Sequence, residues 1–211
     1  MFFPFPWPKN FFLYVLLAAI LLATCVFSSL LAFKMKNRGP DVVWTKTELA
    51  AHNSAITLDL PFTAAEDPSF TIDPEIRFYV RSTKAFFGHN DDFMLYVYSV
   101  TFRTEILQSD WSPNIENMSD VTISTLKKNE LLSNLAYQKR YVTIGKTKAM
   151  EVASRYKLRG ENYMQRVLHL AFQGSIWSLK ATFREKDGLS DEMITKIFRS
   201  ISVTANAQKA G

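Results

Sequence analysis

The chain has 211 residues, 47% hydrophobic and 21% charged, with seven Gly and eight Pro, which excludes a disordered tail, a collagen-like fibre and a polytopic transporter. Four of its 25 basic residues lie in residues 1–40, which contain no acidic residue. From Asp41 onward the chain therefore has 21 basic and 20 acidic residues. The folded part is therefore nearly neutral, which argues against nucleic acid as a partner.

The N-terminal part is organised around an apolar run. Residues 1–10 form a short aromatic tail broken by prolines, and the stretch from Phe11 to Phe33 has 23 residues without a charge. At ~1.5 Å per residue it can cross a hydrocarbon core of about 30 Å, so residues 11–33 predict a transmembrane helix that binds the lipid bilayer. A cleavable signal peptide is the alternative, although its apolar region is normally shorter. Residues 34–41 are charged, contain a Gly-Pro turn and predict a basic linker.

These segments predict a single-pass protein of the cell membrane, and two signals disagree about its orientation. Lys34, Lys36 and Arg38 outnumber Lys9 on the other side of the run, which by the positive-inside rule favours a cytoplasmic domain. An N-terminal anchor behind a short tail is, however, the usual way to export a C-terminal domain. We therefore expect an extracytoplasmic domain with a membrane or envelope protein as its partner, and the side of the membrane stays open.

Residues 42–205 are predicted to form one globular domain, followed by a disordered tail at residues 206–211. The segment from Ile56 to Pro61 alternates and stops at proline, as a short strand does. Residues 76–87 and 93–104 are aromatic and β-branched runs around a polar segment, which predicts a β-hairpin. Residues 120–140 are ambiguous, because the first half suits a strand whereas the leucines near residues 131–135 favour a helix. We expect a helix over the second half.

Residues 148–158, 163–172 and 175–184 are three strand-like segments joined by turns at Gly160 and Gly174, so they predict an antiparallel meander. Their alternation predicts one apolar face that helices must cover. The predicted apolar face contains Met150, Val152, Tyr156, Leu158, Met164, Leu168, Leu170, Phe172, Trp177, Leu179, Ala181 and Phe183.

A final helix is predicted after Gly188. Ser190 can cap it, and Asp191 and Glu192 suit the positive end of its dipole. Its apolar residues recur at helical spacing and should pack on the sheet: Met193, Ile194, Ile197, Phe198 and Ile201.

The order of these elements resembles the Mog1/PsbP/DcrB-like group of proteins. The matching pieces are the strand from Ile56 to Pro61, the strand ending at Gly145, the meander and the amphipathic helix, over most of residues 50–205. The resemblance implies an α+β fold, in which an antiparallel β-sheet meander is covered by helices as a PsbP-like α/β/α sandwich. It also implies a binding or accessory role, but members do unrelated jobs and no active-site residues carry over.

No motif in the sequence predicts catalysis, a cofactor or a metal. The segment Gly145-Lys146-Thr147 is similar to the end of a phosphate-binding loop, but Arg140 stands where the first glycine is required. His89 with Asp91 and Asp92 could supply metal ligands, although a polar hairpin tip needs these residue types anyway. We therefore expect no catalytic, cofactor-binding or metal-binding residue.

The polar positions of the meander give the best binding candidate. The alternation places them on one side of the sheet, where a mostly basic surface could meet an acidic protein or anionic headgroups if no helix covers it. A solvated sheet face is the alternative. The predicted interaction patch consists of Arg155, Lys157, His169, Lys180 and Arg184.

Three classes of function are left open by the sequence. The leading one is a noncatalytic, membrane-anchored interaction or accessory domain. A small-molecule or lipid-binding carrier domain would need a deep apolar pocket between the sheet and its helices. A hydrolase or metalloenzyme would need His89 or His169 to converge with carboxylates.

Overall fold

The computed structural model describes residues 42–74, 77–91, 93–103, 112–185 and 189–205. The described residues from Val43 onward form one compact unit. The predicted aromatic tail, transmembrane helix and linker (residues 1–10, 11–33 and 34–41) and the tail at residues 206–211 lie outside the described residues. Within the described ranges, no helix is long and apolar enough to cross a membrane.

The described elements are ten strands, two α-helices and one turn of 3-10 helix, and they define the labels used below. The strands are β1 (Thr45–Ala50), β2 (Ser54–Leu60), β3 (Ala65–Glu66), β4 (Val80–His89), β5 (Phe93–Phe102), β6 (Leu132–Ile144), β7 (Thr147–Leu158), β8 (Glu161–Phe172), β9 (Ser175–Arg184) and β10 (Ser202–Ala205). The helices are α1 (Ser112–Lys128) and α2 (Leu189–Ser200), and the 3-10 turn is Arg77–Tyr79.

The strands form two antiparallel sheets. The small sheet has the order β1-β2-β10, and the large sheet has the order β3-β4-β5-β9-β8-β7-β6. Two-residue turns join β7 to β8 and β8 to β9, and both residues of each turn have positive φ: 51° and 85° at Arg159 and Gly160, 46° and 78° at Gln173 and Gly174. These angles match the primed hairpin turns, whose twist suits paired strands. The α+β fold class and the antiparallel meander are therefore confirmed.

One face of the large sheet, called the α2 face, packs against α2 and the small sheet. The main core lies here, and it joins Leu168 and Leu179 of the large sheet to Ile56 of β2 and Ile194 of α2. Trp177 is fully buried in this core, and its Nε1–H donates to Ser54 Oγ at 2.9 Å. Each such buried apolar side chain contributes about 1.5–3 kcal/mol to the stability of the fold.

The opposite face, called the α1 face, contacts α1 through β6, β7 and β8. Ile123 of α1 packs there on Val152 and Val167. Asp120 of α1 also forms an ion pair with Lys139 of β6, at 2.7 Å. Helix α1 thus covers part of the face opposite the main core, whereas the predicted basic surface required that no helix cover it.

Several predicted elements are confirmed. The strand before Pro61 is β2, the hairpin is formed by β4 and β5, and the final helix is α2 with Asp191 and Glu192 in its first turn. The five apolar residues predicted for its sheet-facing side are all buried: Met193, Ile194, Ile197, Phe198 and Ile201.

The prediction for residues 120–140 is wrong. The helix α1 occupies the first part and ends at Lys128, and the second half is the strand β6. The buried side of α1 combines Ile115 and Ile123 with the small polar residue Ser119, whose hydroxyl donates to the carbonyl of Ile115 at 2.8 Å. A polar residue on the buried stripe hid the helical period of hydrophobicity. Leu131, which favoured the helix, is 67% exposed in the turn before β6.

The predicted apolar face is also wrong for β7. The two-residue turn at Arg159 and Gly160 pairs Leu158 with Glu161, so even-numbered residues of β7 pair with odd-numbered residues of β8. Met150 therefore shares a face with His169, not with Leu168. Direct partners across an antiparallel pair point to the same side of the sheet. Met150, Val152, Tyr156 and Leu158 accordingly belong to the α1 face, away from the core residues of β8 and β9 with which they were grouped.

Candidate functional site

The predicted interaction patch is divided between the two faces of the large sheet. Arg155 and Lys157 lie on the α2 face, because they pair with Met164 and Asn162 of β8. His169, Lys180 and Arg184 lie on the α1 face, because β8 and β9 keep the predicted register relative to each other. The same two-residue turn that reverses β7 thus separates the patch. The five residues do not form one surface, so this prediction is corrected.

The exposed arginines of the former patch take part in ion pairs. Arg155 pairs with Glu185 at 3.3 Å, and Arg184 pairs with Glu161 at 3.0 Å. All four side chains are exposed to solvent by a third or more, so each pair contributes about 1 kcal/mol or less. This is the behaviour of ordinary solvated side chains.

His169 is fully buried under α1. Its Nδ1 lies 2.8 Å from Ser178 Oγ, and its Nε2 lies 3.1 Å from Thr122 Oγ1. The Thr122 hydroxyl is also 3.0 Å from the carbonyl of Met118, to which it donates. Nε2–H can then donate to Thr122 while Nδ1 accepts from Ser178, which satisfies a neutral imidazole. Burial lowers the pKa of His169 from 6.5 to about 4, so the ring is a neutral structural link between β8, β9 and α1.

A cavity of about 380 Å³ lies between α1 and the large sheet, and it is called the α1 cavity here. Its floor is formed by β5, β8 and β9, its roof by α1, and its side by residues 70–73. Its lining is mostly apolar, with Val100 and Ile176 buried in the floor and Val121 exposed at the rim. Ligand pockets have volumes of about 300–1,000 Å³ and mainly apolar walls, so the α1 cavity is suited to a small molecule.

Three aromatic rings form one wall of the α1 cavity. The Phe70 ring centroid lies 5.3 Å from that of Tyr98 and 6.2 Å from that of Tyr96. The Tyr96 hydroxyl donates to Asp67 Oδ2 at 2.9 Å, and Asp67 also accepts from the backbone N–H and hydroxyl of Ser69. Burial, together with Asp67, raises the pKa of Tyr96 to about 12. The ring is therefore held neutral and fixed in position, and it anchors the segment that carries Phe70.

Lys180 is the cationic side chain among the residues that line the α1 cavity. It pairs across the strands with Tyr96 of β5 and Val167 of β8, so its direct neighbours are an aromatic and an aliphatic side chain. Within the described ranges it forms no ion pair. Solvent reaches it through the open cavity, but the surrounding protein lowers its pKa from the ordinary 10.5 by desolvation.

A buried ion cluster lies on the α2 face. Glu151 of β7 accepts from Arg140 of β6 at 2.7 Å and from Arg166 of β8 at 2.6 Å. Arg166 also donates to Asp191 and Thr195 of α2, at 3.0 and 2.6 Å. Clefts of about 220 and 270 Å³ flank the cluster. Because both oxygens of Glu151 accept from guanidinium groups and Arg166 also donates to α2, the cluster ties α2 to three strands.

The residues considered for a metal or a hydrolytic site do not converge in the described part of the chain. The His89 ring contacts Phe87, and Asp92 lies outside the described residues. The described hydrogen bonds of the His169 ring nitrogens go to hydroxyl groups. No group of three His, Cys, Asp or Glu residues among those described could hold a metal ion.

Sequence reasoning named Lys180 but missed the rest of the α1 cavity. Phe70, Tyr98 and Met118 belong to a loop, a strand and a helix that are far apart in sequence, so no local pattern joins them. One signal was present in the sequence of β5, where Tyr96 and Tyr98 are two residues apart and therefore share a face. Pairing β5 with β9 in the observed register places these rings on the same face as Lys180.

Comparisons with known proteins give likeness at the level of structure. No protein-family model matches the chain, and no curated protein matches it. Similar solved structures include PsbP (CyanoP) of the cyanobacterium Synechocystis, with 7% identity over 80% of this chain and 96% of that chain, at a TM-score of 0.49. LpqN of Mycobacterium tuberculosis, involved in cell envelope biogenesis, has 13% identity over 76% of this chain and 91% of that chain, at a TM-score of 0.42.

A third similar structure is a protein of unknown function from Pseudomonas aeruginosa, with 11% identity over 72% of this chain and 91% of that chain, at a TM-score of 0.38. At such identities and TM-scores, the likenesses do not establish membership of a family. The resemblance to the Mog1/PsbP/DcrB-like group therefore stays a prediction.

Proposed function

We propose that this chain is a noncatalytic, membrane-anchored binding domain that holds a small, mainly apolar molecule in the α1 cavity. The observation that carries the proposal is the cavity itself. Its volume of about 380 Å³ lies in the range of ligand pockets, its walls are mainly apolar, and one wall includes the Tyr96 ring, which is held by a hydrogen bond to Asp67.

Two other functions have less support. A basic docking surface loses its basis because Arg155 and Lys157 lie on the face opposite Lys180 and Arg184. A hydrolase or metalloenzyme has no convergent set of residues within the described ranges. The anchor rests on the uncharged stretch of residues 11–33, which would hold the domain at a bilayer.

The test uses a neutral probe that fluoresces in apolar surroundings, N-phenylnaphthylamine, with residues 43–211. Thr125→Trp places a large side chain in the cavity lining, and Ser124→Trp makes the same change at the adjacent exposed position of α1, outside the lining. We expect saturable binding to the unmodified protein and to Ser124→Trp, and a loss of at least about tenfold in affinity for Thr125→Trp. Unfolding temperatures of both variants check that α1 is intact.

Absence of saturable binding to the unmodified protein would contradict the proposed function. Equal affinity of the two tryptophan variants, with both folded, would also contradict it, because the probe would then bind elsewhere.

A further inference from the structure

Among the described residues that line the α1 cavity, Lys180 is the one with a cationic side chain. Lys180 lies in the middle of β9, between Tyr96 and Val167 across the strands, and its exposed side chain lines the α1 cavity. The protein around its ammonium group nevertheless removes part of the water, which lowers the pKa of Lys180 and disfavours its charged form unless another group compensates.

Described side chains do not compensate this cost. In the described ranges no carboxylate forms an ion pair with Lys180, and its pKa is lowered by desolvation, with no opposing contribution from a nearby acid. Asp73 also lines the cavity, but it is engaged in an interaction of its own. Asp67 lies behind Tyr96 and is occupied by Ser69 and the tyrosine hydroxyl. The ammonium group is thus available to a ligand.

We infer that the ligand of the α1 cavity is an amphipathic anion, whose apolar body lies against Phe70, Tyr98 and Ile176 and whose anionic group is bound by Lys180. The inference rests on the proposed function and specifies the class of ligand. The aromatic and aliphatic walls suit an apolar body, and a single cation suits a single anionic group. An anion would restore favourable interactions to the partly desolvated ammonium group, and such charge-assisted hydrogen bonds are the stronger ones.

A purely structural role for Lys180 is the competing explanation. Lysine side chains often lay their methylene groups on apolar surface and keep the ammonium group in water. In that case the charge would have no influence on what the cavity binds. The two explanations differ in how charge-removing substitution changes selectivity between an anionic and a neutral ligand of the same shape.

The experiment compares two probes that share one aromatic frame. Anilinonaphthalene sulfonate is anionic, and N-phenylnaphthylamine is its neutral counterpart. Residues 43–211 form a compact unit that contains the whole described core, so this fragment is used, after cooperative unfolding has been verified. Dissociation constants of both probes are measured for the unmodified protein and for Lys180→Met, Lys180→Arg and Lys157→Met. Lys157 is the matched control, because it is an exposed lysine on the opposite sheet face.

We expect Lys180→Met to weaken the sulfonate about tenfold or more and to leave the neutral probe within about twofold. Lys180→Arg should retain most of the sulfonate affinity, and Lys157→Met should change neither probe. Unchanged sulfonate selectivity in folded Lys180→Met would overturn the inference while leaving the proposed function intact. Failure of the neutral probe to bind any protein would instead count against the proposed function.

Competition then identifies the anionic group. Decanoate and decyl phosphate are tested for displacement of the bound sulfonate, with decanol as the neutral control. Displacement by one of the two anions at lower concentration than by decanol supports the inference and separates a carboxylate from a phosphate. No preference for either anion over decanol would contradict it.

Discussion

Mild acid should destabilise this domain through one buried histidine. His169 is fully buried and bridges Ser178 of β9 and Thr122 of α1 at 2.8 and 3.1 Å. A proton added to the ring would place an unpaired charge under α1 and would remove the acceptor at Nδ1. Burial accordingly lowers the pKa of this ring from 6.5 to about 4 in the folded protein.

The sign and size of the effect follow from the two pKa values. Between pH 6.5 and about 4 the unfolded chain binds a proton at this ring and the folded chain does not, so the free energy of unfolding falls as the pH falls. Each pH unit in this window costs about 1.4 kcal/mol, which gives about 3 kcal/mol in all. The contribution is complete above pH 6.5 and is lost once the pH has passed about 4. Since domains are stable by about 5–15 kcal/mol, the loss is large enough to measure.

Urea unfolding at a series of pH values between 4 and 7 measures this loss for residues 43–211. His169→Gln removes the titrating group, and His89→Gln removes an exposed histidine of β4 as the matched control. The unmodified protein and His89→Gln should lose about 3 kcal/mol more than His169→Gln does over this range. Parallel pH profiles for the unmodified protein and His169→Gln would refute the assignment of a buried neutral imidazole.

Three further predictions concern the core, the ion cluster and the anchor. Trp177→Ala should lower the free energy of unfolding by about 3–5 kcal/mol in urea titrations, because it empties a fully buried site; a loss below 1 kcal/mol would contradict this placement. Glu151→Ala should cost about 3–5 kcal/mol, because it leaves Arg166 buried without its carboxylate, whereas Glu161→Ala at an exposed pair should cost about 1 kcal/mol or less. Equal losses for the two glutamates would count against the buried cluster. The full chain should resist extraction from membranes by carbonate and high salt if residues 11–33 span the bilayer, and release by salt alone would exclude an integral anchor.

Local sequence patterns were sufficient to predict those elements for which turn residues, composition and hydrophobic periodicity all indicate the same structure. The meander β7 to β9 was predicted because Gly160 and Gly174 mark turns that require positive φ, and β-branched and apolar residues fill the strands. Helix α2 was predicted because the acidic residues Asp191 and Glu192 in its first turn and its apolar stripe indicate the same segment, although Ser190, which was predicted to cap the helix, is its second residue. Agreement between independent signals made these assignments robust.

The helix predicted for the second half of residues 120–140 rested on leucine spacing alone, and it was wrong. Leu131 and its leucine neighbours have helical spacing, but Leu131 lies exposed in a turn and the strand β6 follows. The real helix α1 has Ser119 on its buried side, so its hydrophobic period is weak. The small strand β10 was not predicted, because its partner β2 lies far away in the sequence and its four residues show no strong alternation of hydrophobic and polar side chains.

The residues of the candidate site could not be grouped correctly from the alternation of hydrophobic and polar residues alone. Alternation tells which residues of one strand share a side, but the turn length decides how neighbouring strands are matched. At Arg159 and Gly160 the two-residue turn placed Lys157 and Lys180 on opposite faces. The cavity also requires α1 and residues 70–73 to pack on the same side of the sheet, which is a property of the tertiary fold.

The central claim is that the α1 cavity is a ligand site, and a crystal structure of residues 43–211 with ω-bromodecanoate tests it most directly. The anomalous signal of bromine locates the apolar end of the ligand without reference to the rest of the density. We predict a bromine peak inside the cavity, near Val100 and Ile176, with the carboxylate at the Lys180 ammonium group. A bromine peak in the clefts beside Glu151, or an empty cavity at ligand concentrations that saturate the protein in solution, would contradict the claim.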